Sequence, residues 1–152
     1  MPPLFICVLN KCMAYSGRFT PQNPQKYLGN PTGIIYRSLW ERRVMVYCDT
    51  TPEVLEWSSE EIVIPYVSPL DNRVHRYFPD FFVRTKTGAT IMEVKPHAQS
   101  VQPKPGAKRT RRYLREVMTF GVNEAKWKAA TEYCLDRGWK FKVITEKDLG
   151  IK

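Results

Sequence analysis

Asp80, Glu93 and Lys95 are the residues of this chain whose types and spacing could do chemistry together. They sit in two stretches, 74–84 (VHRYFPDFFVR) and 90–95 (TIMEVK), both strand-like in composition and separated by a turn at Thr87-Gly88. A turn centred between those two residues sets Asp80 opposite Lys95 and Glu93 opposite Phe82. Glu93 and Lys95 are two apart, so they share a sheet face. Asp80 then neighbours Lys95 directly and Glu93 diagonally, at about 7–8 Å between Cα atoms. Two carboxylates at that separation can lean over one cation. Mg²⁺ suits them, because it binds through one or two carboxylates together with water and phosphate oxygens. Such an ion polarises a scissile phosphate and lowers the pKa of a bound water. Lys95 beside it could orient the attacking water or stabilise the charge growing on phosphorus. The set has the parts for phosphodiester hydrolysis.

Each part also has a plainer role. Asp80 after Pro79 could be a turn residue, and Glu93 with Lys95 a solvated strand face. Against that, Phe78, Phe81, Phe82, Ile91, Met92 and Val94 surround them with apolar side chains, and unpaired charge among such residues is costly unless it is used. Ser38-Leu39-Trp40-Glu41 fits a helix capping box, in which Glu41 bonds back to the Ser38 amide. A glutamate on a first helical turn can equally face an adjacent sheet. Lys126 reads either as a solvated helix lysine or as a backbone contact for a polyanion. Lys104, Lys108, Arg109, Arg111, Arg112 and Arg115 are denser than an ordinary helix face, and even in a mobile loop they would contribute salt-dependent phosphate contacts. Tyr113 and Trp127 could stack on bases, with core packing the plainer role for the tryptophan. His75 and His97 read as bystanders unless one of them lies beside the acids and serves as a base.

The elements that must position these residues follow from periodicity. A helix starts at Ser38, with Trp40, Val44, Tyr47 and Cys48 on one face, and ends at Thr50-Thr51-Pro52. Residues 61–67 read as a strand whose Pro65 marks an edge or bend, and 68–73 as a turn. Pro96, Pro103, Pro105 and Gly106 make a loop. A short helix through Met118 follows, then a second from Asn123 as cap to about Arg137, with Trp127, Ala130 and Cys134 inward and Gly138 as the stop. Residues 139–145 alternate as a half-buried strand. The order α-β-β-β-(α)-α-β predicts an α/β (α+β) fold, a mixed β-sheet flanked by helices. Residues 1–33 read as an irregular N-terminal extension and arm, and 34–152 as a single domain. Met13 could itself initiate translation, so residues 1–12 are expected to be a misassigned start or a dispensable extension.

Of 152 residues, 24 are Lys or Arg and 15 Asp or Glu, a net charge of +9 that favours polyanionic partners, nucleic acid above all. No apolar run approaches the roughly 20 residues that span a bilayer. The opening residues lack the basic region and cleavage site of a signal peptide. Cys7, Cys12, Cys48 and Cys134 form no CxxC pair, so reduced thiols are expected rather than zinc or disulfides.

Glu41, Pro79-Asp80 and Glu93-Val94-Lys95 together resemble the PD-(D/E)XK nuclease superfamily. Longer stretches, among them Tyr36-Arg37-Ser38-Leu39-Trp40-Glu41, Tyr77-Phe78-Pro79-Asp80-Phe81-Phe82, Tyr113-Leu114-Arg115-Glu116-Val117 and Ala125-Lys126-Trp127-Lys128, resemble the head completion nuclease family of T-even-type tailed phages. The likeness spans about 15–151. The chain also looks like the DNA-cleaving subunit of heteromeric transposases, which shares the helix-borne glutamate. The resemblance implies a restriction-endonuclease-like domain that cleaves DNA, as an endonuclease, an exonuclease or both, with Mg²⁺, for which Mn²⁺ would substitute. It further implies a role in head completion and head–tail joining. Asp80 and Glu93 would be metal ligands, Lys95 catalytic and Glu41 an active-site carboxylate. Lys108, Arg109, Arg111, Arg112, Arg115 and Lys126 would hold the backbone. The implied partners are double-stranded DNA and head, portal or neck proteins, in the host cytoplasm during assembly or on the virion. The rival readings are a head–tail joining protein that binds DNA without cutting it, and a transposition or repair endonuclease.

Overall fold

The computed structural model describes residues 15–106 and 108–151; the expectation for residues 1–12 lies outside them. The first half contains β1 (Gly17–Arg18), β2 (Ile35–Tyr36), α1 (Leu39–Thr50), β3 (Val54–Ser59), β4 (Ile64–Val67) and β5 (Val74–Tyr77). The second contains β6 (Phe81–Thr85), β7 (Gly88–Val94), α2 (His97–Ser100), α3 (Arg111–Arg137) and β8 (Lys140–Ile144). The main sheet has the order β3-β6-β7-β8. Its first two pairings are antiparallel and the last is parallel. The expected class, a mixed sheet flanked by helices, is what the chain forms.

Two apolar clusters lie on opposite sheet faces. Trp57, Phe81, Val83 and Val94 pack under α1 and the N-terminal arm with Val44, Met45 and Cys48. Phe82, Ala89 and Ile91 pack under α3 through Ala130 and Cys134, joined by Ile64, Tyr66 and Tyr77 of the separate β4–β5 ribbon. Burial of the Cys48 thiol pushes its pKa up to about 12, so it is an inert core residue; Cys48 and Cys134 are both free.

Several local expectations change. Ser38 caps α1 by accepting the Glu41 N–H at 3.0 Å, but the buried stripe is Val44, Met45, Cys48 and Asp49, while Tyr47 is 55% exposed. The stripe is rotated because the arm claims the Asp49 side. The Asp49 carboxylate accepts the N–H groups of Gln22 and Asn23 at 2.8 and 2.9 Å. Phe19 and Tyr27 of the arm then stack edge-on against Trp57. Strand β3 was not expected. A bulge between Val54 and Glu56 breaks its alternation, so Trp57 and Ser58 are both buried and no period of two is legible.

Pro79 splits the expected long strand 74–84, since it has no N–H for a ladder; the chain leaves the ribbon at Tyr77 and enters the main sheet at Phe81. Pro65 sits in the two-stranded ribbon, opposite Arg76. The two expected helices are one 27-residue helix, α3, capped by Thr110 and stopped by Gly138 at φ +70°. Gly121 costs a long helix only about 1 kcal/mol, too little to break it. Asn123 is therefore buried inside the helix rather than at its start.

Asp49→Ala removes the acceptor for two arm amides and should cost about 1–3 kcal/mol. Urea denaturation should show a lower midpoint with an unchanged slope, and a smaller loss for Asp49→Asn.

Candidate active site

The β6–β7 hairpin closes at Thr85 opposite Gly88, with Lys86 and Thr87 as its loop. The turn is thus one residue earlier than Thr87-Gly88 suggested, because Gly88, at φ +143°, begins the return strand instead of sitting in the loop. Every side chain keeps its expected face, but each partner moves by two. Phe81 pairs with Met92, and the next step of the register brings Asp80 to Glu93 rather than to Lys95. The two carboxylates are therefore direct neighbours. Asp80 is fixed by the Val94 N–H, which donates to Oδ2 at 2.8 Å, while its own carbonyl accepts the Glu60 N–H at 3.1 Å.

Glu93 is buried on the interior strand β7. Its Oε2 accepts the Tyr77 hydroxyl at 2.7 Å, and its Oε1 lies 3.8 Å from Lys95 Nζ. Lys126 reaches the same place from α3. Its ammonium lies 5.6 Å from the Tyr77 ring centre and 5.7 Å from that of Tyr66, and its charge helps hold Glu93 ionised. Lys126 is thus half-buried against aromatic rings rather than a free surface lysine.

Glu41 comes from α1 in the opposite layer. Its carboxylate does not return to the Ser38 amide. Oε2 accepts the N–H of Arg37 at 2.8 Å instead, so only the serine half of the capping box forms. Arg37 also pairs with Glu60. Glu60 has φ +56°, a left-handed conformation unusual for a residue with a side chain.

Burial raises the pKa of all three acids. For Asp80, desolvation leads, the charge of Glu93 adds to it and that of Glu41 follows; the Val94 N–H and Lys95 oppose. For Glu93, desolvation outweighs the Tyr77 hydroxyl and Lys95. For Glu41, desolvation and Glu60 outweigh the Arg37 amide. Each acid has one oxygen bound to a protein donor; Asp80 Oδ1, Glu93 Oε1 and Glu41 Oε1 carry no such bond among the described residues, though the Asp80 amide and Lys95 also draw the Glu93 carboxylate toward its ionised form. None of these oxygens is sealed from solvent. No group of three His, Cys, Asp or Glu among the described residues closes into a protein-only metal cage. That donor set fits a hard cation that keeps most of its waters, as Mg²⁺ does.

A groove of about 1140 Å³ has Leu39, Trp40 and Pro96 on its wall, sequence neighbours of Glu41 and Lys95, but none of Glu41, Asp80, Glu93 or Lys95 lines it. Arg43, Lys104, Arg112 and Arg115 line it. Lys126 lines a smaller cavity with Arg115 and Asn123. Lys108, Arg109 and Arg111 are exposed ahead of and at the start of α3, outside both linings. Tyr113 is half-buried, and Trp127 packs on the second apolar cluster with its Nε1 unpartnered among the described residues. His75 pairs with Asp71 on the exposed ribbon, and the ring of His97 faces Lys147 at 3.4 Å.

Sequence reasoning did not single out Tyr77, Glu60 or Arg43. Tyr77 lay in the family-like stretch 77–82, three residues before Asp80, with no role given to it, and no pattern of spacing marks the other two.

A mixed sheet with Asp80 at the entry to one strand and Glu93-x-Lys95 at the end of its neighbour, with a glutamate from a flanking helix, defines a restriction-endonuclease-like domain of the PD-(D/E)XK class. Residues 51–146 match the family described as TnsA-like endonuclease N terminal. The head completion nuclease of Enterobacteria phage T4 is 39% identical over 142 residues, covering 90% of this chain and 95% of that protein. The chain belongs to the TnsA-like endonuclease family and to the head completion nucleases of T-even-type phages.

Because the folded pKa of Asp80 lies above its unfolded value, ionising it disfavours the fold. That cost is absent below about pH 4, the usual carboxylate range, and grows as pH rises through the raised value. Asp80→Asn should therefore stabilise the metal-free protein by an amount that is absent at about pH 4, grows as pH rises and levels off once Asp80 has ionised. Relief of about 1 kcal/mol would raise Tm by about 2–4 °C in a domain of this size, read by paired thermal melts in EDTA.

Proposed function

We propose that this chain is a Mg²⁺-dependent deoxyribonuclease that acts in phage head completion, trimming or nicking packaged DNA as heads are joined to tails. The coarse part, a nuclease, rests on a family described as an endonuclease and a T4 relative described as a head completion nuclease. The catalytic part rests on one observation: the neighbouring carboxylates of Asp80 and Glu93, both desolvated by burial and each with one oxygen held by a protein donor, beside Lys95.

Asp80 Oδ1 and Glu93 Oε1 would hold the ion, with Glu41 at the margin. Bound there, Mg²⁺, or Mn²⁺ in its place, would neutralise the facing carboxylates, polarise the scissile phosphate and acidify a water. Lys95, 3.8 Å from Glu93 Oε1, donates to a phosphate oxygen as negative charge builds on it. Glu41 Oε1 accepts a hydrogen bond from the attacking water and takes its proton, a role its raised pKa suits. Arg112 and Arg115 line the groove for the backbone, with Lys126 nearer the acids and Lys108, Arg109 and Arg111 outside as a second rank. This mode of binding neutralises phosphates and reads no bases. Double-stranded DNA is the proposed substrate, head or neck proteins the proposed partners, and the host cytoplasm during assembly the proposed place of action. No helix among the described residues is long and apolar enough to cross a membrane.

Asp80→Ala and Lys95→Ala should each lower cleavage by on the order of 10³-fold while DNA affinity changes far less, because the contact of Lys95 strengthens as charge builds on the phosphate and most backbone contacts come from the other cations. Nicking of supercoiled plasmid and digestion of linear DNA, with and without EDTA, measure this. Normal cutting by Asp80→Ala, or EDTA-resistant cutting, would refute the mechanism. A purified wild type that binds DNA and never cuts would support the joining-protein reading instead. Replacing Arg112 and Arg115 with alanine should flatten the salt dependence of binding by about 0.9 for each phosphate no longer neutralised. Replacing Arg109 and Arg111 should flatten it less.

A further inference from the structure

Tyr77 belongs to β5, in the ribbon outside the main sheet, yet it is only 4% exposed and ends against the candidate metal ligand Glu93. Its two chemical faces do different things. The hydroxyl edge donates to Glu93 Oε2 at 2.7 Å, which leaves Oε1, 3.8 Å from Lys95 Nζ, as the free oxygen. The ring face, set edge-on to Tyr66 at 6.5 Å, carries the Lys126 ammonium.

We propose that Tyr77 is a positioning residue of the nuclease site: its hydroxyl occupies one oxygen of Glu93 so that Oε1 alone is presented to the divalent cation, and its ring parks Lys126 beside the same carboxylate. This inference rests on the nuclease reading above. A glutamate without the phenol can swing or offer both oxygens, which loosens the cation and misplaces it relative to Lys95. Partners of this kind, bonded to a ligand rather than to the metal, typically change metal affinity or activity by about 10–100-fold when removed. The ring contributes separately, by fixing an ammonium where a DNA phosphate would pass.

Tyr77→Phe separates the two roles, because it deletes the hydroxyl and keeps the ring. DNA-free protein titrated with Mn²⁺, followed by electron paramagnetic resonance, should bind at least about 10-fold more weakly than wild type. In cleavage assays kcat should fall comparably and the half-saturating Mg²⁺ concentration should rise, while KM for DNA and the salt slope stay unchanged. Tyr77→Leu should add a higher KM and a flatter salt slope. Wild-type Mn²⁺ affinity in a folded Tyr77→Phe protein overturns the proposal, even if its Tm is lower. If that variant does not fold, 3-fluorotyrosine placed at position 77 keeps the shape and alters the donor strength, and unchanged Mn²⁺ binding overturns the proposal equally. Asp80→Asn serves as the control arm. Normal cutting by Asp80→Asn sinks the nuclease reading itself, whereas an inactive Asp80→Asn beside a wild-type-like Tyr77→Phe sinks the Tyr77 proposal alone.

Discussion

Everything at the candidate site depends on keeping two like charges side by side, Asp80 at the entry to β6 and Glu93 on β7. Asp80 and Glu93 meet because the hairpin closes at Lys86-Thr87, and neither can relax outward. Asp80 is tied to the Val94 amide at its side chain and to the Glu60 amide at its carbonyl. Glu93 lies on an interior strand, flanked by β6 and β8. The repulsion is therefore built into backbone pairing, the stiffest part of the molecule. Lys95 and Lys126 offset part of it, and the rest makes the site electrostatically receptive to a small cation.

The surrounding layers serve that constraint. Each supplies one group that the hairpin lacks: Glu41 from α1 on one face, Lys126 from α3 on the other, and Tyr77 from the ribbon. The segment matched to the endonuclease family, 51–146, holds Asp80, Glu93, Lys95 and Lys126 but stops short of α1 and Glu41. The helix glutamate thus arrives on an element whose placement relies on the arm, through Asp49, and on the core around Trp57.

What could be read from the sequence was what depends on local patterns. The hairpin acids, the cap at Ser38, the stop at Gly138 and the mixed-sheet class follow from spacing and turn chemistry. What could not be read depends on tertiary company. Strand β3 is hidden by a bulge, and the face of α1 is turned by an arm whose aromatics have no period. The partner of Asp80 hinges on whether a glycine sits in the turn or just after it, a one-residue choice that composition leaves open. Lys126 looked ordinary because its distinguishing neighbours, Tyr66 and Tyr77, are some 50 to 60 residues away in the chain. Glu41 gained its catalytic reading from family likeness, since its spacing alone is equally that of a cap.

Helix α3 is anchored unevenly. Its C-terminal half packs on the sheet through Ala130 and Cys134, while eight of its first ten residues, including Leu114, Val117 and Met118, are exposed. Ten residues of helix extend about 15 Å, so the turns carrying Arg112 and Arg115 are the least buried part of a rod whose middle carries Lys126. Segments with little buried surface open at low free energy. The first three turns of α3 thus fray more readily than the half that packs on the sheet, and they carry the helix's densest cationic stretch.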